Sequence, residues 1–201
     1  MLTNTKAPKH ITGGTFIIKD TQPQSIFISE SLSEEQQMIR ESILDFIAQE
    51  IDPISETLDA QKDLNLAPRL LEKTGALGML GIGVPEEYGG IEMDFVTALS
   101  NSETMSGAHS FALTIGVQTS IGIAPILLYG NEAQKQQYLP QMITGELKSC
   151  YCLTEPDAGS DANSGKTIAK LNEAGTHYII NGQKMWITNS GFADLFIVFA
   201  K

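Results

Sequence analysis

Basic residues are scarce in this sequence. Thirteen lysines and arginines stand against 24 aspartates and glutamates, a formal net charge of -11 over 201 residues. Nucleic-acid backbones are held by basic patches, and these lysines are scattered, so nucleic acid is excluded as a partner. An anionic small molecule is not excluded, since backbone N–H groups and one or two cations serve it locally. Cysteine is scarcer still: Cys150 and Cys152 are the only two. On a strand they would share a face. Two ligands make no structural zinc site, however, and His10, His109 and His177 are remote in sequence, so no metal is expected. Ordinary thiols in a reduced compartment follow. Met1–Ile11 is polar and reads as no secretory leader. Long apolar runs are also missing. The most apolar stretch, Phe111–Tyr129, is interrupted by Gly116, Gln118, Thr119, Ser120, Gly122 and Pro125. That predicts a buried helix at the centre of a bundle rather than a membrane span. The expectation is a soluble, cytoplasmic protein.

What is present divides by period. Residues 1–31 are irregular and read as an extended arm. Ser33 is followed three places on by Gln36, a capping box, after which Ile39, Ile43, Ile47 and Ile51 repeat at four-residue spacing, widened by Phe46. Pro53 ends or kinks that helix. A second helix is predicted from about Leu66 to Leu77, with Pro68 in its first turn. Gly81–Gly90 is a glycine- and proline-punctuated loop without the Gly-Lys-Ser/Thr ending of a phosphate loop. Asp94 caps a helix of small residues, and Asn131 with Gln134 repeats the capping-box signal before a helix ending near Gly145. Beyond Gly145 the period falls to two. Ser149–Thr154, Thr167–Leu171 and His177–Ile180 read as strands. Asn181-Gly182 predicts a hairpin with Lys184–Thr188 as its return strand, and Leu195–Phe199 is a strand expected to be buried on both faces. A sheet that has only begun suggests a helical domain joined to the front part of a β domain, with the remainder absent.

Two stretches carry the chemistry. In Tyr151–Ala162, Pro156 stiffens the strand exit, Gly159 permits unusual backbone angles, and Ser160 and Asp161 supply a hydroxyl and a carboxylate. Such a loop aims several N–H groups one way and suits an oxygen-rich or anionic ligand. It also reads as a plain turn whose polar side chains satisfy their own backbone. In Trp186–Gly191, the one indole of the chain could cover a planar ring, with the Thr188 hydroxyl on the same strand face, or could be core. The hairpin would bring the two stretches to one pocket.

Tyr151–Asp161 resembles a signature of the acyl-CoA dehydrogenases, and Asn181–Asn189 resembles that family's second signature at the usual separation. Gly83–Gly90 and Tyr129–Lys135 are similar to the family as well, so the resemblance runs from about residue 30 onward. Thr21–Phe27 is similar to the longer-chain branch. The fold class implied is α+β: an arm at 1–31, an all-α helical bundle at 32–146, and at 147–201 the beginning of an antiparallel, barrel-like middle domain. The resemblance also implies an FAD-dependent dehydrogenase that introduces an α,β double bond into acyl-CoA thioesters, as in fatty acid β-oxidation. Electrons would pass to an electron-transferring flavoprotein, and the full-length protein would be a homo-oligomer, dimer or tetramer. By the same resemblance the backbone at Tyr151 and Leu153 runs along the flavin. Thr154 hydrogen-bonds to the ring, Gly159 allows close approach, and Ser160 touches FAD and the CoA side of the substrate. Trp186, Ile187 and Thr188 line the rest, Thr188 near N5. The catalytic base of the family comes from a C-terminal bundle. Glu155 is not that base, no residue of this chain is assigned as catalytic, and the chain alone is expected to be inert and to hold FAD weakly. Two alternatives stand: an acyl-CoA oxidase or flavin monooxygenase of the same fold, and a helical interaction module without cofactor.

Overall fold

The computed structural model describes Ile11 and residues 13–201; His10 and most of the leader reading lie outside them. After a single helical turn, α1 (Thr15–Ile18), the chain enters α2 (Glu34–Phe46) through the predicted box. Ser33 Oγ accepts from the Gln36 N–H at 3.2 Å while Gln36 Oε1 accepts from the Ser33 N–H at 2.9 Å. Pro53 does not stop the helical path. It falls in a 3-10 turn that follows a π-helical turn at Ile47–Ile51 and leads into α3 (Ser55–Asp59). The isoleucine stripe is the core: Ile43, Phe46, Ile47 and Ile51 are buried with Leu70 and Leu71 of α4 (Leu66–Ala76) and with Phe111.

The fifth helix, α5 (Phe95–Met105), starts at Asp94, whose carboxylate accepts from the Thr97 N–H at 2.8 Å. That bond, with one from the Thr97 hydroxyl, lowers the Asp94 pKa. The apolar stretch is α6 (Phe111–Gly116), a π-helical segment Val117–Ile123, and α7 (Ala124–Tyr129). It is not encircled as predicted. Phe111, Ile115, Ile123 and Ile126 are buried, whereas Leu113 and Leu128 are exposed. Its length and composition would suit a membrane crossing, but its packed face is tied into the protein by the buried amide of Gln118, described below. The Asn131–Gln134 box opens α8 (Glu132–Ile143), whose Leu139, Met142 and Ile143 form a second core with Tyr88 and Ile126.

Four short strands follow: β1 (Ser149–Cys152), β2 (Ile168–Leu171), β3 (Tyr178–Asn181) and β4 (Leu195–Val198). The expected antiparallel beginning of a barrel-like domain is corrected in its pairing. Among the described residues, strands β1 and β4 pair in parallel, Ser149 opposite Leu195 and Cys152 opposite Val198, β2 and β3 pair antiparallel, and no barrel closure occurs. Bonds between Ala169 and Lys201 and between Lys201 and Thr167 stitch the two pairs together. Strand β4 leaves Phe196 and Val198 exposed, so it is not buried on both faces.

The hairpin is also displaced. It joins β2 to β3 through Asn172–His177, where Gly175 takes φ +68° and the Asn172 side chain accepts from the Thr176 and His177 N–H groups. Asn181-Gly182 makes no turn, and Lys184–Thr188 is no strand. Gly182 instead lies against Thr167, whose Cα would stand 2.7 Å from a side-chain carbon at that position. The glycine answers a close backbone approach, which a local reading cannot distinguish from a turn.

Candidate functional site

Six of the eight predicted binding residues meet. Tyr151, Leu153, Thr154, Trp186, Ile187 and Thr188 line one cavity of about 210 Å³. The two stretches converge as expected, by a different route. The Met185 N–H donates to the Thr154 carbonyl at 3.0 Å, and Lys184 Nζ donates to the Leu153 carbonyl at 3.0 Å. The second stretch therefore crosses the exit of β1 as irregular chain rather than as a hairpin arm. Trp186 takes φ +55°, and the residue is left 86% exposed at the cavity. A bulky residue in the left-handed region is strained backbone, which proteins retain where a side chain must be presented. Tyr151 stacks obliquely on Phe199, ring centroids 4.9 Å apart.

Gly159 and Ser160 do not line this cavity. Both are exposed, and open space surrounds Gly159. The loop that carries them is held from below by Glu155. Its buried carboxylate accepts from the Lys166 N–H at 2.5 Å, from Lys184 Nζ at 2.8 Å and from the Thr167 N–H at 3.0 Å. Those donors, the Lys166 N–H first, hold its pKa far below the ordinary carboxylate range. A carboxylate so engaged is a brace, and a poor proton acceptor. Cys150 and Cys152 are buried with their sulfurs 3.7 Å apart, and burial pushes the Cys150 thiol up to about 12, so Cys150 is an inert thiol. Among the described residues no cluster suited to a metal ion occurs.

Val117 and Ile121 close the cavity from the π-helical segment. Neither is visible as a site residue from the sequence. The segment is seated by Gln118, fully buried and fully bonded. Its Nε2 donates to the carbonyls of Met142 at 2.9 Å and Leu147 at 2.8 Å, and its Oε1 accepts from the N–H and hydroxyl of Ser149, each at 2.8 Å. Gly122 makes room, because a side-chain carbon there would sit 1.9 Å from Ser149 Oγ. Asn189, at φ +69°, then donates to the carbonyls of Thr114 and Ser149 at 3.1 and 3.2 Å. Helix, β1 and the Trp186 loop are thus tied at Ser149. The only advance signal was a glutamine interrupting an apolar run.

A second cavity, of about 460 Å³, lies on the other side of the same segment. Its walls are largely apolar: Met79, Ile82, Leu99, Met105, Ile115 and Ile123. No aspartate, glutamate, lysine or arginine lines either cavity.

Residues 33–146 match the acyl-CoA dehydrogenase N-terminal domain and residues 150–201 the acyl-CoA dehydrogenase middle domain. A probable acyl-CoA dehydrogenase of Bacillus subtilis is 44% identical over 189 residues, covering 94% of this chain and 32% of its own length. The very long-chain specific acyl-CoA dehydrogenase of human mitochondria is 38% identical over 173 residues, covering 82% of this chain and 26% of its own. The crystal structure of acyl-CoA dehydrogenase complexed with FAD from Bacillus anthracis superposes with a TM-score of 0.88 at 48% identity, covering 95% of this chain and 33% of that one. The chain therefore spans about a third of the length of these two Bacillus proteins.

Proposed function

The chain belongs to the acyl-CoA dehydrogenase family, and from that premise we propose that it contributes the acyl-chain cavity and one wall of the flavin site to an FAD-dependent acyl-CoA dehydrogenase. The observation that carries this reading is the convergence of Thr154, Trp186 and Thr188 on one cavity backed by a π-helical turn. The residues fit the group. Neither threonine hydroxyl is engaged among the described residues, and the exposed indole offers a planar surface for a planar ring. When bound, FAD accepts the hydride that leaves Cβ of the acyl group.

The chain's own residues supply position and exclusion of water. Thr154 and Thr188 hydrogen-bond the ring, and Trp186 covers it. The backbone at Tyr151 and Leu153 would run beside it, and Val117 and Ile121, which line the same cavity, would help exclude water from it. Gly159 and Ser160 act at the cofactor's outer part, Ser160 toward the CoA. The distal end of the acyl chain would occupy the larger apolar cavity, and its Cα–Cβ bond would have to reach the ring at the smaller one. Removal of the α-proton needs a base from outside the described residues, because Glu155 is saturated with donors and neither cavity presents a carboxylate. The working protein is a cytoplasmic homo-oligomer that passes its electrons to an electron-transferring flavoprotein. A longer-chain preference is part of this reading, from the likeness of Thr21–Phe27 to the longer-chain branch.

The test is anaerobic titration of the FAD-loaded, full-length protein with acyl-CoA thioesters of increasing length. Expected are bleaching of the flavin by the longer thioesters and sustained turnover only with an electron-transferring flavoprotein. Rapid reoxidation by oxygen with no gain from that acceptor would make it an oxidase. Absence of flavin reduction by any thioester would refute the proposal.

A further inference from the structure

Among the described residues one ion pair is withdrawn from water on both sides. Arg69–Asp63, Lys73–Glu50 and Lys166–Asp157 lie at the surface, where a pair adds little to stability, and Lys148–Glu72 shelters only its lysine. In Lys184–Glu155 the two side chains are only 14% and 6% exposed. Taking two charges out of water is costly, and an apolar pair of similar volume often serves stability as well or better. The location of this pair supplies a reason for it. Lys184 Nζ donates at once to Glu155 Oε1 at 2.8 Å and to the Leu153 carbonyl at 3.0 Å. One residue on, the Met185 N–H donates to the Thr154 carbonyl. Two successive residues of one arm are thus bonded to two successive carbonyls of the other, immediately before Trp186 enters its left-handed conformation. That conformation is unfavourable for tryptophan and persists only where neighbours hold it.

We propose that Lys184 is a positioning residue of the flavin site: by joining the Leu153 carbonyl to the Glu155 carboxylate, its ammonium sets the spacing between the Thr154 and Trp186 arms, and so the fit of the planar ring between them. The proposal rests on the reading that the smaller cavity receives the ring. Leu153, Thr154 and Trp186 line that cavity and Lys184 does not, so the lysine acts through the two arms rather than by touching the ring. Glu155 is the anchor. Its other bonds, from the Lys166 and Thr167 N–H groups, fix the carboxylate to the chain entering β2, and the ammonium carries that fixed point to the exit of β1. A group held only by flexible loop would leave the arms free to part, and misplacement of a ring by about 1 Å is enough to slow a transfer reaction markedly.

The experiment compares Lys184→Met, Glu155→Gln and the double variant with the wild type, each as the FAD-loaded, full-length protein. Three quantities are read: the dissociation constant for FAD, the visible circular dichroism of the flavin at saturating FAD, and kcat and KM for an acyl-CoA thioester. Lys184→Met keeps the apolar stem and loses both bonds of the head. It should raise the dissociation constant for FAD by about tenfold or more, alter the flavin dichroism, and lower kcat with KM little changed. Glu155→Gln leaves the bond from Lys184 to Leu153 in place and should change all three less. The double variant carries no unpaired buried charge, so it decides the matter even where Lys184→Met does not fold, and it should show the full loss. Wild-type flavin dichroism and FAD affinity in Lys184→Met, with only stability lowered, would overturn the proposal while leaving the flavin reading in place. So would a double variant no worse than Glu155→Gln. If the wild-type protein takes up no FAD, the flavin reading fails, and this one with it.

Discussion

The segment Val117–Ile123 has a cavity on each side, and the two are built on opposite terms. Toward β1 the wall is held by polar bonds, with every hydrogen-bonding atom of the Gln118 amide engaged by Met142, Leu147 or Ser149. Toward α5 the wall is apolar packing, and the one amide in it, Asn101, has an unpaired donor. Both side chains are amides on helices, so chemistry alone does not separate them. Partners do. A satisfied buried amide fixes the position of the elements it joins, whereas an unsatisfied one joins nothing and is carried at a cost.

The strongest way to break the comparison is to remove what both sides share. Phe111 is wholly buried at the head of this helical run and belongs to the main core. Phe111→Ala is expected to cost about 3–5 kcal/mol, measured by guanidinium unfolding, and to weaken flavin retention and acyl-CoA binding together. Loss of one without the other would mean that the two cavities do not depend on a common wall.

Gln118→Leu acts on one side only. It strands the Ser149 N–H and hydroxyl along with two carbonyls, and is expected to cost about 3 kcal/mol. The loosened β1 should raise the dissociation constant for FAD more than that for an acyl chain. Equal effects on both ligands, or a destabilisation well under about 1 kcal/mol, would deny Gln118 its positioning role.

Glu155 provides a test in acid. Its pKa is lowered on folding, so the stabilisation from its three donors is complete above the unfolded-state value of about 4.3 and is lost as pH falls from there toward the folded value. The thermal midpoint of the wild type should therefore drop steeply below about pH 4. Glu155→Gln should start lower at neutral pH and lose less on acidification. Parallel curves for the two proteins would mean that Glu155 is not the acid-sensitive brace of the loop that follows β1.

These contrasts also mark what could be read from the sequence. The caps at Ser33 and Asn131 and the isoleucine stripe of α2 are local, and they form as their spacing dictates. The meeting of Thr154 with Trp186 was legible as a pair of motifs, yet the path between them was not. Asn181-Gly182 has hairpin chemistry, but the glycine is claimed by Thr167, a tertiary neighbour. The parallel pairing of β1 with β4 joins residues 46 apart in sequence, such as Lys148 and Asp194 at its mouth, and no short-range pattern encodes it. Gln118 could be seen as an interruption of an apolar run. Its meaning lay in Ser149, 31 residues away.

The smallest expected effect has the opposite sign. In the ligand-free protein Asn101→Leu exchanges an unpaired buried donor for a side chain of similar volume that suits its apolar neighbours. Removing the unsatisfied group should stabilise the fold by about 1 kcal/mol. Gln118→Leu is the same exchange of amide for isobutyl group and should destabilise. Gln118→Leu also shortens the side chain by one heavy atom, so it is the opposite signs expected of the two variants that report their hydrogen-bond partners. Guanidinium unfolding of both, side by side without ligand, decides the matter. If Asn101→Leu destabilises as Gln118→Leu does, the Asn101 amide has a structural partner and its place in the cavity is a matter of folding. If it stabilises, the wild-type asparagine is kept at a cost to stability, which is the cost of its unpaired buried donor.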